Sequence, residues 1–184
     1  MERLETHRLI LRPWQLNQRD AEDLYDYAKD PRVGPIAGWP VHQSMENSWT
    51  VLTQFVKDDE VLALEDRATG RVIGSIGLHR RSPEEATAHL PHRELGYCLN
   101  PAFWGRGLMP EAAKACIQYG FESMGLAIIW CGHYEGNGQS RRVIKKCGFS
   151  YAFSRRESAT QLPEKRLTHY YNLTREEWQR CLGR

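Results

Sequence analysis

The repeat of apolar and polar positions changes several times along this chain, and each change marks an element. In Arg8-Leu-Ile-Leu-Arg12 three aliphatic residues stand between charges and stop at Pro13, the pattern of a short strand. Ala21, Leu24 and Ala28 fall at helical spacing, which predicts a helix over 17–27 capped by Asn17 or Asp20. Residues 30–40 are rich in proline and glycine and read as a loop carrying Trp39. Ser44 opens a second helix on which Trp49, Leu52, Phe55 and Val56 recur as a packing face. Strands over 61–64 and 72–79 form a hairpin about Thr69-Gly70, and 82–92 connects to a strand over 93–99. That strand breaks at Asn100-Pro101, passes Gly105 and Gly107, and gives way to a helix at Pro110, whose missing N–H costs little in a first turn. Ala112, Ala113, Cys116, Ile117 and Gly120 make a small-residue face on that helix, with Gly125 as its cap. A buried strand over 127–131, a helix over 141–147 stopped by Gly148, strands over 149–153 and 168–173, and a capping box Thr174-x-x-Glu177 complete the chain. Strands and helices alternate without repeats. The expected class is a mixed α/β (α+β) sandwich with about seven strands and helices on both faces.

Length and composition narrow this picture. A chain of 184 residues suits one domain, 1–184, and 41% hydrophobic residues argue against disorder. A net charge of +2 is too weak to imply nucleic acid, and the one basic helix lacks interleaved aromatics. Five cysteines, odd in number and without a Cys-x-x-Cys pair, fit reduced thiols better than a disulfide frame or a zinc site. None of the seven histidines has metal-ligand spacing, so no metal is expected. No run approaches the roughly 18 apolar residues of a membrane span, and a cytoplasmic protein without a membrane partner is expected.

Chemistry concentrates between Glu94 and Ala113. A strand entering a two-glycine loop and then a helix leaves amides unpaired at a helix N-terminus, where they and the helix dipole attract an anion such as phosphate. The same residues also read as a plain tight turn. Arg141, Arg142, Lys145 and Lys146 either meet a further phosphate or form a solvated basic face.

Thr6-His-Arg-Leu-Ile-Leu-Arg-Pro13, Ile73-Gly-Ser-Ile-Gly77, Glu94-Leu-Gly-Tyr97, Trp104-Gly-Arg-Gly107, Asn137-x-x-Ser140 and Lys146-Cys-Gly-Phe149 occur in an order and spacing that resembles the GNAT superfamily of N-acetyltransferases. The resemblance is close to the RimJ/RimL-type branch, which acetylates protein N-termini and other amines. The family's loop signature is Gln or Arg, two residues, Gly, one residue, then Gly or Ala; here Trp104 and Met109 depart at the outer positions.

The resemblance implies a GNAT-like three-layer sandwich with splayed central strands and acetyl-CoA as co-substrate. The pantetheine arm would lie against Tyr97, Cys98 and Leu99, and the pyrophosphate against Trp104, Gly105, Arg106, Gly107, Leu108, Met109 and Pro110. Asn137 would meet the arm or shape the turn, and Arg142 and Lys146 would lie near the 3′-phosphate. Many members place a proton-donating tyrosine seven residues after the asparagine, where this chain has Ile144; Ser140 is the branch's alternative donor, or a helix cap. Glu94 is the candidate base, with His79, His133 and Tyr134 as alternates, and Trp39, His79 and Tyr134 would frame the acceptor. The expected acceptor is a protein N-terminus, a ribosomal one included. A polyamine, an amino acid or an aminoglycoside is the rival acceptor, and a non-catalytic CoA-binding module the rival class. The expected assembly is a monomer or homodimer.

Overall fold

The protein is described by a computed structural model over residues 1–159 and 161–183. Its strands are β1 (Leu4–Glu5), β2 (Leu9–Pro13), β3 (Val61–Asp66), β4 (Val72–His79), β5 (His92–Leu99), β6 (Ile128–Tyr134), β7 (Ser150–Ser158) and β8 (Lys165–Thr174). They form one eight-stranded sheet in the order β1-β2-β3-β4-β5-β6-β8-β7. Every neighbouring pair is antiparallel except β5 and β6. The eighth strand, absent from the sequence expectation, is the two-residue β1, too short to show a repeat.

Helices cover both faces. On one, α1 (Gln18–Ala28) and α3 (Met45–Asp58) bury Leu24, Tyr27 and Leu52 against Ala63 and Val72. On the other, α4 (Leu108–Glu122), α5 (Gly138–Lys146) and α6 (Arg175–Leu182) pack Ile117, Phe121, Ile144 and Trp178 over Leu64, Leu95 and Ile129. The small face of α4 explains its close seating, because Ala112, Ala113 and Cys116 are wholly buried. Between α1 and α3 a four-residue helix, α2 (Gly34–Ala37), stands where only a loop was expected. Pro35 near its start and left-handed Gly38 at its end delimit it. Helix α4 is capped by Ser123, and Gly125 follows two residues later with φ 70°.

Asn17 caps α1, its side chain accepting from the Asp20 amide. Asp20 in turn takes both guanidinium ends of Arg12 at 2.8 Å and the Gln15 amide at 2.9 Å, while Arg12 Nε reaches Glu65 at 2.7 Å. This network locks α1 to β2 and β3. Asp20 is only 1% exposed, and its removal strips the largely buried Arg12 guanidinium of its bidentate partner, leaving Glu65 as its one carboxylate. Asp20→Ala is expected to lower unfolding stability by about 3 kcal/mol in urea titration. Asp26→Ala, which breaks an exposed pair with Lys29, is expected to cost less than about 0.5 kcal/mol.

Candidate active site

At the centre of the sheet β5 and β6 pair in parallel from His92 with Ile128 to Leu95 with Cys131, and no further. Each then keeps only its outer neighbour: β5 stays on β4 to the pair Leu99 with Gly74, and β6 stays on β8 to Tyr134 with Thr168. Gly96 to Leu99 and Gly132 to Tyr134 thus border a fork, part of a cleft of about 820 Å³. Backbone groups facing that fork have lost a strand partner and need another.

One end of the cleft is the turn into α4. Gly105 and Gly107 have φ of 76° and 75°, a left-handed conformation that glycine adopts without strain. Among the described residues, the amides of Gly105, Arg106, Gly107, Leu108 and Met109 donate to no protein acceptor. Gly107 caps α4 without a side-chain bond, so the donors and the helix dipole face an anion site.

The turn is braced from the N-terminal strands. Glu111, in the first turn of α4, accepts from Thr6 Oγ1 at 2.6 Å, the Arg8 amide at 2.8 Å and Arg8 Nε at 2.7 Å. Burial pushes its carboxyl up, but the bonds from Thr6 and Arg8 outweigh this and hold it below the usual glutamate range. Arg8 also donates to the Arg106 carbonyl at 2.8 Å. Trp104 Nε1 donates to the Leu99 carbonyl at 2.8 Å and ties the loop to the end of β5.

Several expected residues line this end: Tyr97, Cys98, Leu99, Trp104, Gly105, Gly107, Leu108, Met109, Pro110, Asn137, Ser140, Arg142 and Lys146. Met109 is 5% exposed and packs into the α4 core, so its length fills space under the helix. The Arg106 side chain does not reach the cleft. It donates to the Ala102 carbonyl at 2.9 Å and lies 4.9 Å from the Phe103 ring centre, leaving only its backbone at the turn. Arg141 and Lys145 are exposed and off the cleft.

Asn137 caps α5 by accepting from the Ser140 amide at 3.0 Å. The Ser140 hydroxyl is 2.9 Å from the Tyr97 hydroxyl, a contact that bridges α5 and β5 across the fork. Burial holds the Tyr97 phenol well above its ordinary pKa, so this is a pair of neutral hydroxyls able to pass a proton. Ile144 is buried and apolar. Cys98 turns its thiol to Ser75 Oγ at 3.1 Å, so only its backbone addresses the fork.

At the other end stands Glu94, in register with Trp130 on β6 and His79 on β4. Its side chain is 17% exposed, and Arg81 Nε lies 3.4 Å from it. Burial raises its pKa, Arg81 opposes the rise, and Glu157 adds to it. A carboxylate tuned upward and open to a cleft suits proton abstraction. Beside it Glu157 accepts from Tyr170 and from Arg155 at 2.8 and 3.0 Å. Burial raises Glu157, but these bonds prevail and hold it below the usual range.

Tyr134 lines this end with its ring against Gly38, where an added Cβ would meet the hydroxyl at 2.6 Å. His133 also lines it, but its ring nitrogens meet the Tyr134 carbonyl at 2.9 Å and the Tyr171 hydroxyl at 3.4 Å. The structure does not bring Trp39 or His79 to the cleft wall. Trp39 lies over Gly34 and 5.5 Å from His42, against the α1–α3 core, while His79 faces Glu60 at 3.5 Å.

Arg81, Arg155, Glu157 and Tyr170 were missed from the sequence. Phe153, Arg155 and Glu157 alternate along β7 and so share a face, a signal hidden because the strand was expected to end at Phe153.

A model of the acetyltransferase (GNAT) domain matches residues 8–150. The chain is 33% identical over 158 residues to the uncharacterized N-acetyltransferase p20 of Bacillus licheniformis, covering 81% of this chain and 83% of that one. It is 34% identical over 88 residues to the uncharacterized protein YkkB of Bacillus subtilis, a match spanning 48% of this chain and about half, 49%, of YkkB. Among solved structures, a GNAT-family acetyltransferase from Bacillus anthracis superposes with a TM-score of 0.83 at 22% identity, covering 95% of this chain and 99% of that one.

Loosening the brace should spoil the anion site without touching it. Arg8→Ala is expected to weaken CoA binding about tenfold by calorimetry, a loss of about 1.4 kcal/mol. Lys145→Ala, off the cleft, is expected to stay within about twofold.

Proposed function

The chain belongs to the GNAT acetyltransferase family, whose members draw their acetyl group from acetyl-CoA, and from that premise we propose that it acetylates a protein or peptide N-terminal α-amine by direct transfer, as the RimJ/RimL-type branch does. The observation that carries this reading is the fork between β5 and β6 ending on five unpaired amides. Those donors suit a diphosphate, the fork backbone suits the amide-bearing pantetheine arm, and Arg142 and Lys146 line the cleft where a further phosphate needs cations.

Acetyl-CoA bound there supplies an acetyl thioester. Glu94 takes a proton from the acceptor's ammonium, which turns it into a nucleophile. Ser140, backed by the Tyr97 hydroxyl, gives a proton to the departing sulfur. Cys98 and Cys131 stay outside the chemistry, because burial holds both thiols above their ordinary pKa and thiols are poor nucleophiles. Five free cysteines accord with a reducing, cytoplasmic setting.

A screen of N-terminal peptides and small amines, read by thiol release, tests this. Glu94→Gln and Ser140→Ala are each expected to lower kcat by about 100-fold or more while CoA binding persists. Because burial raises the Glu94 pKa, wild-type kcat/KM should fall with decreasing pH at a value above the ordinary glutamate range. Glu94→Gln should abolish that limb. Absence of thiol release with every acceptor would refute the reading.

A further inference from the structure

Cations at the acceptor end of the cleft differ in how fully they are bonded. Arg155 is saturated: it forks onto Glu157, donates to the Pro83 carbonyl at 3.0 Å and lies over the Phe153 and Tyr170 rings. At the opposite end, beside the Trp104 ring, Arg32 is likewise forked onto Asp30. Arg81 is 47% exposed, and its guanidinium makes no hydrogen bond among the described residues. Its one ion pair is the 3.4 Å approach to Glu94, too long for a strong charge-assisted bond. An open guanidinium fork therefore stands beside the carboxylate assigned to the acceptor's proton.

The walls around this pair are tied to one another. Arg155 joins β7 to the segment after β4 through Pro83, Gln161 donates to the Gly38 carbonyl at 2.9 Å, and Arg166 on β8 donates to the Pro35 carbonyl of α2. Such ties give the acceptor end fixed sides, and an anion carried close to the acceptor's amine lies within reach of Arg81.

We propose that the acceptor is a primary amine bearing a carboxylate within a few bonds of its nitrogen, and that Arg81 is the specificity-determining residue that binds this carboxylate. This deepens the acetyltransfer reading and rests on it. With the guanidinium 3.4 Å from Glu94, one acceptor whose amine and carboxylate are only about two to four covalent bonds apart can bond Glu94 through its amine and Arg81 through its carboxylate, given ordinary hydrogen-bond lengths. Two sources share that chemistry: a free amino acid through its α-carboxylate, and a polypeptide whose first residue is aspartate or glutamate. In either case Arg81 turns from Glu94 to the substrate. The carboxylate of Glu94, relieved of its cation, becomes the better proton acceptor when the substrate is in place. The acceptor ammonium then loses one proton to Glu94 and a second, on amide formation, to the sulfur leaving group through Ser140.

The test uses the full-length protein and matched acceptors that differ in the anion: alanine against alaninamide, and a peptide beginning with Asp against the same peptide beginning with Asn. Thiol release should show kcat/KM at least about tenfold higher for the carboxylate member of one pair. Preference within the second pair identifies a polypeptide; preference within the first identifies a free amino acid, which keeps the acetyl transfer and the role of Arg81 but overturns the peptide acceptor. Arg81→Gln should lower kcat/KM for the preferred acceptor by about 10- to 100-fold, chiefly through KM, and Arg81→Lys should recover part of it. The acid limb of kcat/KM should also move to higher pH in Arg81→Gln, a shift that mere structural damage would not produce. Equal rates within both pairs, or a preference unchanged by Arg81→Gln, overturns this inference alone. No thiol release with any acceptor overturns the acetyltransfer reading as well.

Discussion

The parting of β5 from β6 after Leu95 and Cys131 is the constraint on which the rest depends. Two adjacent strands in a buried sheet normally satisfy each other's backbone, and leaving that pairing unmade costs free energy for each group not otherwise bonded. The sheet tolerates the split because each strand keeps its outer neighbour through to its end, β5 on β4 and β6 on β8. The two halves are then held at their separation by contacts across the fork. Tyr97 on β5 meets Ser140 on α5, and Asn137 caps α5 at the same point. A slot lined by unpaired amides and carbonyls results, shaped for a ligand that itself carries amides.

A second set of contacts fixes where that slot ends. Two left-handed glycines turn the chain from β5 into α4 without a side-chain cap, so the donors that would otherwise be capped stay open. The open turn is held by Arg8 and Thr6 from the N-terminal segment, acting through Glu111 and the Arg106 carbonyl. The Thr-x-Arg sequence ahead of β2 thus belongs functionally to a loop about a hundred residues away. On the opposite side, Glu94 and Glu157 are two carboxylates tuned in opposite directions by their surroundings, one left proton-hungry by burial, the other pinned by Tyr170 and Arg155.

Most of the fold was legible because its strands and helices are strongly periodic. The position of Met109 was readable too, since it precedes Ala112, Ala113 and Cys116 by three, four and seven residues and so shares their buried face. Two-residue β1 carried no repeat, and the polar stretch Ser154-Arg-Arg-Glu157 masked the second half of β7. The anion turn was legible because it is local: strand, glycines and helix start follow one another within a few residues. The acceptor wall was not, because Arg81, Glu94, Arg155 and Tyr170 come from three strands and a loop that only the sheet order brings together. Trp39 and His79, chosen for residue type and position, are claimed by neighbours outside the cleft.

The central claim is that the unpaired amides of Gly105 to Met109 are the phosphate-binding element of the cleft. Hydrogen–deuterium exchange, resolved to this loop and compared with and without saturating CoA, tests it most directly. Strong slowing over residues 105–109 and the parted halves of β5 and β6 is the predicted result. Tight CoA binding with unchanged exchange over 105–109 would contradict the account.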